Sequence, residues 1–113
     1  MKLRSIELAL PDPAGAAAWM VDVWGLFPAD VRGTTHYLRG TGAMPYLVAF
    51  EQADEEFVRS TTFTCSDTEL GAIARKEADK GWPACAVTSA DPGDGAGLLV
   101  ELPEGTILRF LAG

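Results

Sequence analysis

His36 is the only histidine in the chain, so all imidazole chemistry would rest on one side chain. A Ser-His-Asp triad has one possible base, and a multi-histidine metal site cannot form. His36 sits on a Thr-rich stretch with Thr34 and Leu38 on its face; it is either a ligand contact or an ordinary strand residue. Glu51 and Glu101 each close an apolar strand. A carboxylate there can act as a general base if burial raises its pKa, and is otherwise the solvated end of the strand. Asp12 and Asp67 stand where helices begin, and capping accounts for them. Cys65 and Cys85 form no CxxC pair, and neither has a Cys or His neighbour at zinc-site spacing. Both are expected to be small buried hydrophobes. The segment from Asp91 to Gly97 is Gly-rich, but it holds no Lys and opens no helix. It therefore fails the phosphate-loop and dinucleotide patterns and reads as a flexible loop. Of the three indoles, Trp24 is expected in the core, Trp19 at a subunit or domain contact, and Trp82 at a rim.

The totals limit what these residues can serve. A chain of 113 residues with 48% apolar and 22% charged residues has the size and balance of one globular domain. Its net charge of −7 repels phosphate backbones and anionic membranes, which excludes nucleic acid and the membrane surface as partners. No run of 18 apolar residues is long enough for a transmembrane helix. Met1 to Leu10 alternates charged and apolar residues and lacks a signal-peptide core, so a cytoplasmic location is expected.

The elements that must position these residues can be read in order. Arg4 to Leu10 alternates Ile6, Leu8 and Leu10 with Ser5, Glu7 and Ala9, the period of a half-buried strand. Asp12 is an N-cap with Pro13 at the first helical position. Ala17, Met20, Val21 and Trp24 follow at helical spacing, and Gly25 stops the helix. Leu26 to Gly40 reads as two strands turning at Arg32–Gly33, and Tyr46 to Phe50 as a third. Gln52 to Phe57 is an acidic linker. Arg59 to Cys65 is again a strand, and Ser66 with Glu69 forms a capping box. Leu70, Ile73, Ala74 and Ala78 make the apolar face of the next helix, which Gly81 ends. Pro83 to Thr88 is a strand. Leu98–Leu102 and Thr106–Leu111 form a hairpin closed at Pro103-Glu104-Gly105.

The two halves, about 1–54 and 55–113, repeat one plan. Ser5 to Asp12 lies over Ser60 to Asp67, and each half runs strand, capped helix, glycine stop, then about three strands. A βαβββ unit leaves one sheet face open. Two such units can bury those faces by curling into one cup-shaped mixed sheet with the helices outside. The expected class is therefore α+β, and the concave side is the natural ligand site.

This layout resembles the vicinal-oxygen-chelate superfamily, which contains the glyoxalases, bleomycin-resistance proteins and extradiol dioxygenases. The local matches are Leu8-x-Leu10-x-Asp12 with Ala18-Trp19, Trp24-Gly25-Leu26, and the closing Pro103-Glu104-Gly105-Thr106-Ile107-Leu108-Arg109-Phe110. The resemblance implies a divalent metal acting as a Lewis acid, held by the first and last strands of each half. Carried over residue by residue, the ligand positions fall on Ser5, Ala49 (or Glu51 with a slipped register), Ser60 and Arg109. Serine hydroxyls are poor metal ligands, and a guanidinium opposes a cation. Glu7 is set aside as lying on the other face of its strand. No metal or cofactor is therefore expected; Fe(II) or another divalent ion enters only with a different alignment. Ser5, His36, Ala49, Ser60, Glu101 and Arg109 are the candidates for lining the cup.

Three functions follow. The chain stops at Leu111-Ala112-Gly113, where a linker to a second domain would begin. It also resembles the metal-free N-terminal domain of two-domain extradiol catechol dioxygenases. The first reading is accordingly a non-catalytic domain of that kind, paired with a second domain of the same fold. The second is a stand-alone homodimer binding a small aromatic or hydrophobic molecule, as the resistance proteins do. The third is a metal-dependent lyase or dioxygenase that uses Glu51, Glu101 and His36.

Overall fold

The computed structural model describes residues 1–81, 84–93 and 95–112. The contacts divide the chain into two compact units, Ser5–Arg59 and Met1–Arg4 with Ser60–Gly113. The boundary lies a few residues beyond the acidic linker, and the first four residues join the second unit. The Met1 amine donates to Glu69 Oε2 at 2.7 Å, and Arg4 Nη2 donates to the Pro92 carbonyl at 3.4 Å. Trp82 and Pro83 lie outside the described residues, as does the side chain of Ala78.

The first unit contains β1 (Lys2–Leu10, from Ser5 on), α1 (Pro13–Trp24), β2 (Phe27–Arg32), β3 (Thr35–Arg39) and β4 (Val48–Gln52). Local chemistry explains α1. Asp12 Oδ1 accepts from the Gly15 amide at 3.0 Å, Pro13 occupies the first turn, and Gly25 ends the helix at φ 73°. Only glycine adopts that left-handed geometry freely, which is why the chain turns out of the helix there. β1 runs parallel to β4, while β3 runs antiparallel to both β4 and β2, giving the order β2-β3-β4-β1. Ala17, Leu38 and Phe50 form the core under α1, with Leu8, Leu10, Met20 and Val48 packed around them.

The second unit contains β5 (Phe57–Cys65, from Ser60 on), α2 (Asp67–Lys80), β6 (Ala84–Thr88), β7 (Ala96–Glu101) and β8 (Ile107–Ala112). Its order, β5-β8-β7-β6, and its strand directions repeat those of the first unit. The Ser66 hydroxyl accepts from the Glu69 amide and Glu69 Oε1 accepts from the Ser66 amide, each at 3.1 Å, which is the expected capping box. Cys65, Val100 and Phe110 form the core under α2 with Phe63, Leu70 and Ile73. Phe63 and Phe110 stack at 5.6 Å. A Cβ at Gly97 would collide with the Phe110 carbonyl, so β7 approaches β8 closely only because that position lacks a side chain.

Both halves therefore have the expected α+β, βαβββ plan. Four expectations about single residues are corrected. Trp24 is 66% exposed: it is the last residue before the Gly25 stop and lies against Trp19 (6.3 Å between rings), which is also exposed. Ala74 is exposed, so the buried stripe of α2 is narrower than its apolar spacing. Cys85 is exposed on β6, the outermost strand of its unit's sheet, whereas Cys65 is buried as expected. Tyr46 precedes β4, which begins two residues later than the apolar run.

Candidate functional site

In each unit the helix covers one face of the sheet, and the opposite face carries the polar residues. Register assigns the faces. Glu7 pairs with Ala49, and Ala49 with Tyr37, so these three share the face away from α1. Leu8, Phe50 and His36 share the helix side. His36 is therefore not on the face of Ser5 and Ala49, because it is one residue out of phase with Tyr37 on β3. It is half-buried and lines a groove of about 350 Å³ between α1 and the β2–β3 hairpin.

The face away from α1 holds a residue that the sequence reading had set aside. Glu7 is two residues from Ser5, and period-2 alternation puts both side chains on the same face. Glu7 is fully buried, Ser5 and Ala9 nearly so, while Ile6 on the alternate face is 37% exposed. The more polar side of β1 is thus its more buried side. Ser5 Oγ donates to Glu7 Oε1 at 2.6 Å, and the Tyr46 hydroxyl donates to the same oxygen at 2.7 Å. Tyr46 in turn packs edge-on against Tyr37 (4.9 Å) and beside Ala49. Two short O–H donors are what a buried carboxyl oxygen requires in place of water. Glu51 is also on this face but is half-buried and paired with Arg59 Nη1 at 3.2 Å.

The second unit has a matching polar face. Thr62 pairs in register with Arg109, as Glu7 does with Ala49. Ser60, Thr62, Ser89, Asp91 and Arg109 are all buried. Arg109 Nε donates to Thr62 Oγ1 at 2.9 Å and Nη1 to Ser89 Oγ at 3.3 Å; Nη1 also lies 2.9 Å from Asp91 Oδ2. Ser89 Oγ accepts from the Asp91 amide at 3.1 Å. The Asp91 end of the Gly-rich segment, expected to be a flexible loop, is buried and tied to Arg109, and β7 already begins at Ala96. Glu101 shares Arg109's face but is exposed at the strand end.

These residues do not suit a divalent metal. At the carried-over positions, Ser5 gives its hydroxyl proton to Glu7, Ala49 has no donor atom, and the Arg109 guanidinium is paired with Asp91. Among the described residues, no group of three or more His, Cys, Asp or Glu side chains is placed to hold a metal. No helix among them is long and apolar enough to cross a membrane.

The fold is that of the vicinal-oxygen-chelate superfamily, a class that includes glyoxalases and extradiol dioxygenases. The chain is similar in structure to the Mn(II)-bound glyoxalase from Novosphingobium aromaticivorans (TM-score 0.88, 22% identity, 98% of this chain and 38% of that one). It is also similar to homoprotocatechuate 2,3-dioxygenase from Arthrobacter globiformis (TM-score 0.84, 20% identity, 99% and 36%). A third similar structure is the Brevibacterium fuscum homoprotocatechuate 2,3-dioxygenase in complex with 3,4-dihydroxyphenylacetate (TM-score 0.83, 19% identity, 98% and 36%). The chain thus spans little more than a third of the length of these proteins. No family model matches the sequence, and no curated protein matches it.

Glu7 was weighed and set aside, and Tyr46, Thr62, Ser89 and Asp91 were missed as site residues. Glu7 and Thr62 could have been found by counting two residues on from Ser5 and Ser60. Ser89 and Asp91 carry no such signal, because a loop contact depends on tertiary placement.

Proposed function

We propose that the protein is a metal-free, non-catalytic member of this structural class that works beside a second domain or subunit of the same fold. The observation that carries this reading is the state of Arg109. At the position where the superfamily places its closing carboxylate ligand, a buried guanidinium is neutralised by Asp91 and fixed by Thr62 and Ser89. A cation held so firmly at a ligand position opposes a second one, and the other ligand positions offer only serine hydroxyls and a methyl group with no donor atom. The similar structures are nearly three times as long, which agrees with a chain that acts as one part of a larger assembly.

The test is metal analysis of protein purified anaerobically under reducing conditions, then calorimetric titration with ferrous, manganous and zinc ions. The expected result is no stoichiometric binding, together with no ring cleavage of 3,4-dihydroxyphenylacetate in the presence of Fe(II) and oxygen. One tightly bound ion per chain, or catechol turnover, overturns the proposal.

A further inference from the structure

The helix of the first unit is apolar on two sides. Pro13 and Ala17 are buried, and Ala16, Met20 and Val21 pack on the core beneath the helix. Gly15, Ala18, Trp19, Asp22 and Val23 are exposed, and their i, i+3, i+4, i+7, i+8 spacing is that of a second, outward face. Trp24 extends this face, because its ring lies against that of Trp19. Asp22 is the one charged residue in α1. The matching helix of the second unit shows the contrast: Arg75, Lys76, Asp79 and Lys80 of α2 are all exposed, as on a solvated surface. A helix that is apolar all round is one covered on both sides, and the sheet covers only one side of α1.

Size and shape point to what covers the other side. Trp19, Val23 and Trp24 are 54%, 60% and 66% exposed. A buried aromatic side chain covers about 150–250 Å², so this cluster offers roughly 400 Å² per chain. A contiguous apolar patch of that size marks an interaction site, whereas single exposed apolar residues do not. Two such patches give about 800 Å² before the small residues beside them are counted, close to the ~1,000 Å² at which specific interfaces begin. The large residues fill the C-terminal half of the face, and Ala14, Gly15 and Ala18 fill the N-terminal half. An antiparallel copy of the same helix therefore lays indoles over small residues in both directions, which is the self-complementarity a twofold contact requires. Charge agrees. Copies with a net charge of −7 repel one another, and they meet at least cost where a face is nearly free of charge.

We propose that the outward face of α1 is the contact between two copies of this chain, packed helix on helix and antiparallel about a twofold axis. The proposal rests on the reading that the protein works beside a partner of its own fold, and it names that partner and the surface that meets it.

The experiment is sedimentation velocity of the intact chain from about 1 to 500 µM, where an interface of this size should pass from monomer to dimer. Added salt should tighten the dimer several-fold, because it screens the repulsion between two acidic chains and leaves the apolar contact in place. Trp19→Asp and Val23→Lys, both at exposed positions, should each keep the chain monomeric without changing its thermal melt by circular dichroism. Ala74→Glu, at an exposed position of α2, should leave the dimer intact. A Cys85→Ser background removes the exposed thiol. In that background mild oxidation should crosslink Ala18→Cys, near the middle of α1, and not Ala14→Cys, which faces the far end of the partner's helix. A chain that stays monomeric at the highest concentration, a dimer that survives both α1 substitutions, or crosslinking through Ala14→Cys instead of Ala18→Cys would each overturn the proposal. A monomer that takes up no metal overturns this contact and leaves the metal-free reading with a second domain as the partner. A dimer that binds one ion per chain does the reverse.

Discussion

Two Arg–Asp pairs with nearly the same geometry should differ several-fold in energy, and measuring that difference tests the reading of the second polar face. Arg109–Asp91 spans 2.9 Å with side chains 9% and 11% exposed; Arg32–Asp30 spans 2.8 Å with side chains 46% and 43% exposed. Distance therefore does not separate them, and burial does. An exposed pair gains about 0–1 kcal/mol because water and salt screen it. Removing one partner of a buried pair costs about 3–5 kcal/mol, because the remaining charge was taken out of water on the strength of the other. Asp91→Ala should therefore destabilise the chain by roughly 3–5 kcal/mol, a large part of the about 5–15 kcal/mol typical of a domain. At about 4 °C per kcal/mol for this size, the melting temperature should fall by roughly 10–20 °C.

The assay is urea unfolding followed by tryptophan fluorescence and circular dichroism, on Asp91→Ala, Arg109→Met, the double variant and Arg32→Ala. The double variant should cost about 1–3 kcal/mol less than the sum of its single changes, because it removes both charges together. Arg32→Ala should cost under about 1 kcal/mol. If Asp91→Ala proves no more costly than Arg32→Ala, the pair is not effectively buried. Arg109 is then not a fixed, neutralised cation.

Tyr46→Phe deletes a hydroxyl donor to the buried Glu7 carboxyl and should cost about 1–3 kcal/mol by the same unfolding assay; no measurable change would mean that Glu7 is satisfied without it. The Met1 amine first, and the Ser66 amide next, hold the Glu69 carboxyl below its ordinary range. The sign follows: the stabilisation is present above the ordinary carboxylate value and is lost as pH falls through the lowered one. Glu69→Gln should accordingly narrow the stability difference between neutral and strongly acid pH, and an unchanged difference would count against the contact. Burial first, and the nearby Glu69 charge second, push the Cys65 thiol up, whereas Cys85 is exposed. Iodoacetamide at mildly alkaline pH should label Cys85 well before Cys65 by mass spectrometry, since the thiolate is the reactive form; equal labelling rates would contradict the burial of Cys65.

What was legible in the sequence is what a few neighbouring residues decide. Asp12 with Pro13, Gly25, and the Ser66–Glu69 box fix helix ends through contacts three residues apart, and the structure has each of them. The equivalence of Ser5 with Ser60, and of Ala49 with Arg109, agrees with the strand registers, because alternation and parallel pairing leave little freedom. What was not legible depends on what lies across a face. The alternation of β1 marks Ile6, Leu8 and Leu10 as the buried side, yet the Glu7 side is more buried, and Tyr46 reaches Glu7 from a loop 39 residues away. The need for glycine at position 97 is likewise set by a carbonyl on the neighbouring strand.

The two polar faces solve one problem in opposite ways. At equivalent positions the first unit has a carboxyl on its opening strand opposite a methyl, and the second has a hydroxyl on its opening strand opposite a guanidinium. Within the first unit Glu7 accepts from the hydroxyls of Ser5 and Tyr46, and within the second Arg109 meets Asp91, Thr62 and Ser89. Such buried networks add less stability than apolar packing of the same volume, but a partly satisfied one is worse than either, so their members must fit together. A divalent ion would need carboxylates and imidazoles with lone pairs to spare. Here Glu7 Oε1 accepts two hydrogen bonds and Asp91 faces the Arg109 guanidinium, which is the arrangement on which the metal-free proposal rests.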